Sequence, residues 1–121
     1  MARILLIEDD DATLKLYTEV LKKEGWSVSQ YKTGNIIPVT IKNFKPDIIL
    51  LDIMLPGKRN GFDILEDVKR DEDLKKIPVI VLTNLDSEKK VAIEIGAEDY
   101  IVKANTSIQE IVKKVKKFLR G

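Results

Sequence analysis

Acidic, hydroxyl and ammonium side chains directly follow several short apolar runs of this chain. One run is followed by Glu8 and Asp9, and another by Asp52. Thr83 ends a third run and Lys103 follows a fourth. Carboxylates can bind a hard metal ion, while a hydroxyl and an ammonium group can hold a phosphoryl group. This chemistry requires a fold that places the ends of these runs side by side.

The apolar runs predict a parallel sheet. Runs at 4–7, 48–51, 78–82 and 100–102 are continuously apolar, which is typical of strands covered on both faces. The stretch 26–31 alternates between apolar and polar residues, which favours an edge strand. We expect the strands followed by Glu8, Asp52, Thr83 and Lys103 to be central neighbours.

Helical patterns separate these strands. Apolar residues recur at helical spacing in four stretches, namely Leu14, Tyr17 and Leu21; Phe62, Leu65 and Val68; Val91 and Ile95; and Ile108, Ile111, Val112, Val115 and Leu119. A further helix is predicted after Asn35 as N-cap, with Pro38 in its first turn. Gly25 and Gly96 fall where two helices are expected to end. Asp10 or Asp11 is expected to cap the first helix.

The element order is therefore a strand followed by a helix, repeated five times. Connections this short require parallel strands and right-handed crossovers, so the predicted fold is α/β with a doubly wound five-stranded parallel sheet. We expect one domain spanning residues 1–121, with no effector domain. Ligands of such sheets bind beyond the carboxyl ends of the strands, where the acidic residues lie.

Composition excludes several kinds of chemistry. The 121 residues include no Cys and no His, which rules out thiolate zinc sites, Ser-His-Asp triads and phosphohistidine on this chain. The formal net charge of +1 gives no overall attraction to nucleic acid or an anionic membrane. No apolar run is long enough for a membrane span, and we expect a cytoplasmic protein that binds neither nucleic acid nor membrane.

Convergent carboxylates favour a bound cation, because they repel each other at neutral pH. Since the ligands offered are oxygens, Mg²⁺ is the expected metal. Lys103 and Thr83 would then face a phosphoryl group, so the sequence predicts an acyl-phosphate site.

The chain resembles the receiver domain of two-component response regulators. The resemblance rests on Glu8-Asp9, on Asp52 within 51–57, on Thr83, on 96–100 and on Lys103, in this order along nearly the whole chain. It implies a flavodoxin-like fold with Mg²⁺ bound by Glu8, Asp9, Asp52 and the carbonyl of Met54. It further implies that Asp52 accepts the phosphoryl group, Lys103 pairs with it, and Thr83 and Tyr100 form a conformational switch.

The implied partners are a sensor histidine kinase or a histidine phosphotransfer protein, and a downstream protein. The latter would bind the face formed by the fourth helix, fifth strand and fifth helix. The protein is then expected to be a phosphoacceptor that assists its own phosphorylation and slow dephosphorylation, rather than an enzyme. Met54 and Leu85 flank the expected phosphoryl position, and neither side chain can orient an attacking water, which is the reason for expecting slow dephosphorylation.

Two positions depart from the family pattern. Ala104 stands where receivers usually carry a Pro joined by a cis peptide bond. A cis bond before Ala costs about 2.5–4 kcal/mol, so we expect a trans bond and a reshaped loop. Asn84 replaces the small residue usual after the threonine.

Other functions remain open at this stage. The serious alternative is a phosphate-independent receiver fold that acts only as a protein interaction module. A haloacid dehalogenase-type phosphatase would need a second Asp where Met54 stands, and four acidic residues after the first strand would repel a flavin phosphate. The basic residues near the C-terminus are more simply a solvated helix face than a site for nucleic acid.

Overall fold

The computed structural model describes residues 1–120 and contains one parallel β-sheet with helices on both faces. The strands are β1 (Arg3–Ile7), β2 (Ser27–Tyr31), β3 (Ile48–Leu51), β4 (Val79–Thr83) and β5 (Asp99–Val102). The helices are α1 (Asp11–Lys23), α2 (Pro38–Phe44), α3 (Gly61–Arg70), α4 (Lys89–Ile95) and α5 (Ile108–Arg120). A single 3₁₀ turn, Lys103–Asn105, joins β5 to α5.

The strand order is β2-β1-β3-β4-β5, and every neighbouring pair is parallel. The predicted doubly wound, flavodoxin-like sheet is therefore confirmed, with β2 at an edge as the alternating sequence indicated. One expectation needs correction, because β5 forms the other edge and only β1, β3 and β4 are central. Lys103 consequently approaches the site from one side of it.

Alternate residues of the strands build two cores, one on each face of the sheet. Leu5 and Ile7 pack with buried residues of α2, α3 and α4. Ile4 and Leu6 pack with α1 and α5. Because both faces are covered, the interiors of the central strands are apolar, and polar residues come where these strands begin or end.

Helix boundaries agree with the sequence in part. Asp10 caps α1 by accepting a hydrogen bond from the Thr13 amide, and Gly25 and Gly96 end α1 and α4 with positive φ. The prediction that Asn35 is an N-cap is wrong, because α2 begins after Ile37, which caps it without a side-chain hydrogen bond. Pro38 takes the first helical position and lacks the N–H that a cap would satisfy.

The apolar stripe expected on the fourth helix is confirmed at Ile95, which packs against the core, but is wrong at Val91. Val91 is exposed, whereas Ala92 is fully buried and packs in the core beneath α4. A short helix of seven residues presents few positions to the sheet, and a small residue there allows a close approach.

The amino ends of β4 and β5 are fastened to α3 by Lys69. Its ammonium donates to Glu98 Oε1 at 2.9 Å and to the carbonyls of Lys75 and Ile77 at 3.2 and 3.0 Å. Glu98 Oε1 in turn accepts from the Val79 amide at 2.8 Å. A partly buried cation with several acceptors thus joins α3 to the segments before β4 and β5, at the end of the sheet opposite the acidic residues.

No helix within residues 1–120 has both the length and the apolarity to cross a membrane.

Candidate functional site

The acidic residues lie where β1 and β3 end. The Glu8 amide donates to the Tyr31 carbonyl at 3.0 Å, and the Asp52 amide donates to the Ile7 carbonyl at 3.0 Å. Each bond continues the sheet by one residue, so the backbone that carries each carboxylate is fixed. The side chains of Glu8 and Asp52 are nearly inaccessible, with residue exposures of 3% and 6%. Asp9 is exposed at the rim.

Carboxylate oxygens of Glu8, Asp9 and Asp52 all lie within 4.8 Å of one another. This convergence is the arrangement that the sequence predicted from the strand ends. The donors are oxygens alone, and one of the three side chains opens to solvent, so a metal could keep several waters. The cluster therefore fits Mg²⁺, which prefers a few carboxylates and retains part of its hydration shell.

Lys103 is the cation that balances this cluster. Its Nζ lies 2.5 Å from Glu8 Oε1 and 3.0 Å from Asp52 Oδ2. Burial acts to lower the pKa of Lys103, but its hydrogen bonds to Glu8 and Asp52 outweigh burial and raise the pKa above the usual lysine value. The amine therefore stays protonated at neutral pH.

For the buried Glu8 carboxyl, the effect of burial on the pKa outweighs the effect of its hydrogen bonds. Burial raises the pKa of Glu8, and the hydrogen bonds from Lys103 and from the Asp10 amide, at 3.1 Å, lower it again without cancelling the rise. A negative charge on Glu8 thus depends on the lysine or on another cation at the same place.

Both oxygens of Asp52 are engaged. Oδ2 faces Lys103, and Oδ1 accepts a hydrogen bond from the Met54 amide at 2.9 Å. Met54 thus contacts Asp52 through its backbone, while its side chain is 54% exposed. The role of its carbonyl as a metal ligand remains a prediction from the family resemblance.

The start of α3 presses against the backbone of Asp52. Asn60 and Asp63 form a reciprocal capping box there, and the Gly61 amide donates to the Ile53 carbonyl at 2.9 Å. A Cβ added to Gly61 would stand 2.3 Å from the Asp52 carbonyl oxygen and 2.6 Å from Ile53 Cα. Gly61 therefore permits a close approach that any side chain would prevent.

Replacing Gly61 with Ala should lower the free energy of unfolding by about 1–3 kcal/mol, because the new methyl group overpacks against backbone that cannot yield locally. Helix propensity alone predicts the opposite sign, since Ala is a better helix former than Gly. Urea denaturation of the variant measures the change. Gly25→Ala is the control, because its Cβ would meet nothing within 4 Å and its cost arises from the positive φ alone. A Gly61→Ala variant as stable as the wild type would contradict the close approach.

Thr83 and Tyr100 lie along β4 and β5. Thr83 is fully buried, and its Oγ1 accepts a long hydrogen bond of 3.4 Å from the Leu85 amide. The Tyr100 hydroxyl donates to the Leu85 carbonyl, so the ring lies inward against the loop after β4. Burial raises the pKa of Tyr100, which keeps its hydroxyl protonated as a donor. Both candidate switch residues thus contact the backbone of Leu85.

Two contacts around the site were not anticipated from the sequence. The first is the close approach of Gly61 to the backbone of Asp52. The second joins Asn84 to the loop that carries Lys103, because Asn84 Oδ1 accepts a hydrogen bond from the Ala104 amide at 3.1 Å. The peptide bond before Ala104 is trans, as expected, since residues 1–120 contain no cis peptide bond. A glycine at the start of a helix and the departure from the family pattern at position 84 were the only sequence indications of these contacts.

This fold and site together define a doubly wound receiver-type domain with an acidic pocket and a lysine at the carboxyl end of its sheet. The sequence of residues 4–116 matches the family model described as the response regulator receiver domain. The chain therefore belongs to the receiver domain family of two-component response regulators.

Solved structures support the same assignment. The BeF₃-activated N-terminal receiver domain of Klebsiella pneumoniae RstA is similar with a TM-score of 0.89 and 33% identity, covering 98% of this chain and 99% of that one. A CheY-like receiver domain protein of Methanospirillum hungatei gives 0.87 and 29% identity over 99% and 94%. A receiver domain of a Syntrophus aciditrophicus signal transduction histidine kinase gives 0.83 and 28% identity over 100% and 92%.

Proposed function

We propose that Asp52 accepts a phosphoryl group from a phosphohistidine of a sensor kinase or a histidine phosphotransfer protein in a Mg²⁺-dependent reaction. The observation that carries this proposal is the pocket itself, where Asp52 lies within 4.8 Å of Glu8 and Asp9 and 3.0 Å from the Lys103 amine. A carboxylate nucleophile, two further metal-binding carboxylates and a cation beside the nucleophile are the parts that such a transfer needs.

In the proposed step an oxygen of Asp52 attacks the phosphorus and forms a P–O bond as the P–N bond breaks. The electrons of that bond return to the partner's imidazole, which leaves neutral when its other ring nitrogen carries a proton. Mg²⁺ bound by Glu8, Asp9 and Asp52 would neutralise charge on the transferred oxygens. Lys103 would pair with the new phosphate, because its present acceptor, Asp52 Oδ2, belongs to the carboxylate that becomes phosphorylated.

Phosphorylated Asp52 would shift the conformational equilibrium of the loop after β4. We propose that the phosphate attracts the Thr83 hydroxyl, which now holds the Leu85 amide, and that Tyr100 changes its contact with Leu85 in response. Such a shift would alter the face formed by α4, β5 and α5, where a downstream protein would bind. In this proposal the chain is a cytoplasmic phosphoacceptor that assists its own modification and slow reversal, not an enzyme with a separate substrate.

The test is incubation with a small phosphodonor such as acetyl phosphate, with and without Mg²⁺, followed by intact mass measurement. We expect one phosphoryl group per chain in the presence of Mg²⁺ and none on Asp52→Asn. Asp73→Asn is the matched control, because this exposed aspartate pairs with Lys42, away from the pocket. A folded wild-type protein that gains no phosphoryl group would instead favour the phosphate-independent interaction module.

Met54→Asn should accelerate loss of the phosphoryl group by about tenfold or more, because an amide at the exposed Met54 position could orient an attacking water, whereas the thioether cannot. The decay of the phosphorylated form, followed by intact mass, measures the rate. Met54→Leu is the control, since it keeps an apolar side chain of similar size. Slower decay in Met54→Asn would contradict the explanation that dephosphorylation is slow because Met54 cannot orient a water.

A further inference from the structure

The residue directly after β4 contacts the backbone directly after Lys103. The β4–β5 pairing ends with Thr83 opposite Val102. One residue after Thr83, the Asn84 side chain accepts a hydrogen bond from the amide of Ala104, two residues after Val102, with Oδ1 3.1 Å from the nitrogen. A side chain thus continues the connection of the two strands where their backbone pairing has stopped.

We propose that Asn84 is a positioning residue for Lys103, whose backbone it fixes so that the ammonium reaches Glu8 and Asp52. The proposal rests on the proposed function only where it concerns the phosphorylation rate. Its structural part concerns the unmodified protein.

Lys103 would otherwise stand on a weakly held turn. It opens the single 3₁₀ turn Lys103–Asn105, which is closed by one long bond of 3.4 Å from the Thr106 amide to the Lys103 carbonyl. The first amides of any helical turn lack a partner within the turn, and Asn84 supplies one for Ala104. Lys103 is therefore held on both sides, by the Val102 pairing before it and by the Asn84 hydrogen bond after it.

The position of this backbone matters because the lysine side chain is long and rotamer-rich. Its Nζ must reach two buried carboxylate acceptors at 2.5 and 3.0 Å at the same time. If residues 103 and 104 moved freely, the amine would satisfy both acceptors only part of the time, since ordering such a chain costs conformational entropy. Glu8, Asp9 and Asp52, which bind the metal in the proposed reaction, follow β1 and β3 and do not depend on this bond.

The donor exists only because position 104 is not proline. Proline has no backbone N–H, so it could not bond to Asn84. The two departures from the usual receiver pattern, at positions 84 and 104, thus form one hydrogen-bonded pair in this chain.

The test compares Asn84→Ala, which removes the acceptor, with Asn84→Asp, which keeps one. Asn105→Ala is the matched control, because it makes the same change at another exposed asparagine, in the turn that Asn84 contacts. The first readout is the NMR signal of the Lys103 CεH₂ group in the unmodified protein. The second is the initial phosphorylation rate with acetyl phosphate, measured together with Mg²⁺ affinity.

We expect Asn84→Ala to shift the Lys103 signal and to slow phosphorylation by about three- to tenfold, the factor that corresponds to one lost hydrogen bond. Mg²⁺ affinity should stay within about twofold, because the three carboxylates are unchanged. A general structural defect would lower both. Asn84→Asp and Asn105→Ala should remain close to the wild type.

A further experiment uses Ala104→Pro, which removes the backbone N–H that donates to Asn84. In that background Asn84→Ala should cause no additional slowing, because the two changes break the same bond. An unmoved Lys103 signal or an unchanged rate in Asn84→Ala would overturn the proposal, as would additive effects with Ala104→Pro. If the wild type accepts no phosphoryl group, the proposed function fails, and the Lys103 signal alone then decides whether Asn84 positions the lysine.

Discussion

Replacing Asp9 with Asn should weaken Mg²⁺ binding by about tenfold to a hundredfold. The substitution keeps the shape of the side chain but removes the charge of one of the three carboxylates proposed to bind the ion, and Mg²⁺ prefers charged oxygen donors. Because Asp9 is exposed, the fold should be unaffected. Calorimetric titration with MgCl₂ measures the affinity.

The same variant should also lose phosphorylation in a way that added Mg²⁺ reverses. At a low concentration of Mg²⁺ its rate should fall by the same factor as the affinity, and at a saturating concentration most of the rate should return. Asp11→Asn provides the comparison, because it makes the same charge change two residues away, at an exposed aspartate that pairs with Lys32. Equal losses in the two variants would show that only general negative charge matters and would contradict a ligand role for Asp9.

Replacing Lys103 with Met should lower the free energy of unfolding by about 3 kcal/mol at neutral pH without Mg²⁺. The substitution keeps the apolar stem of the side chain but leaves the buried Glu8 and Asp52 carboxylates without their cation, and breaking a buried ion pair from one side is costly. Urea denaturation in the presence of a chelator measures the change. Lys113→Met, at an exposed position of α5, is the control.

The pH dependence of this loss has a definite sign. The pKa of Glu8 in the folded protein lies above its ordinary value of 4.5, chiefly because of burial. Such a group favours the folded state at low pH, and this contribution is lost as pH rises through the folded pKa. Removal of Lys103 raises the pKa of Glu8 further, so the difference between variant and wild type should shrink as pH falls from 7 toward 4.5. Added Mg²⁺ should also reduce it, and a loss that neither acid nor Mg²⁺ diminishes would contradict an electrostatic cause.

The carboxylate cluster could be predicted from sequence because a parallel sheet fixes where its strands end. Glu8 and Asp52 follow continuously apolar runs, and neighbouring parallel strands bring the residues that follow them to one edge of the sheet, independently of the loop conformations. The 4.8 Å convergence follows from this geometry. The lysine was located by the same rule, although β5 proved to be an edge strand.

Contacts made by loops could not be predicted in this way. The hydrogen bond from Ala104 to Asn84 depends on the path of two irregular segments, for which hydrophobic periodicity gives no information. Gly61 resembled any helix-starting glycine, and its close approach to Asp52 became visible only in three dimensions. Asn35 has the side chain of a good cap, but capping propensity is local, and the position of Pro38 decides where the helix begins.

Because Lys69 holds the amino ends of β4 and β5, we expect the two ends of the sheet to differ in local stability. At the amino ends of these strands one ammonium of α3 gathers acceptors from the segment before β4 and from Glu98. At their carboxyl ends the two connecting loops are irregular, and the exposed residues Asn84 and Ala104 join them by one hydrogen bond. We therefore expect local opening to cost less beside the acidic pocket, and amide hydrogen exchange along β4 and β5 to become faster from the Lys69 end toward Thr83 and Val102.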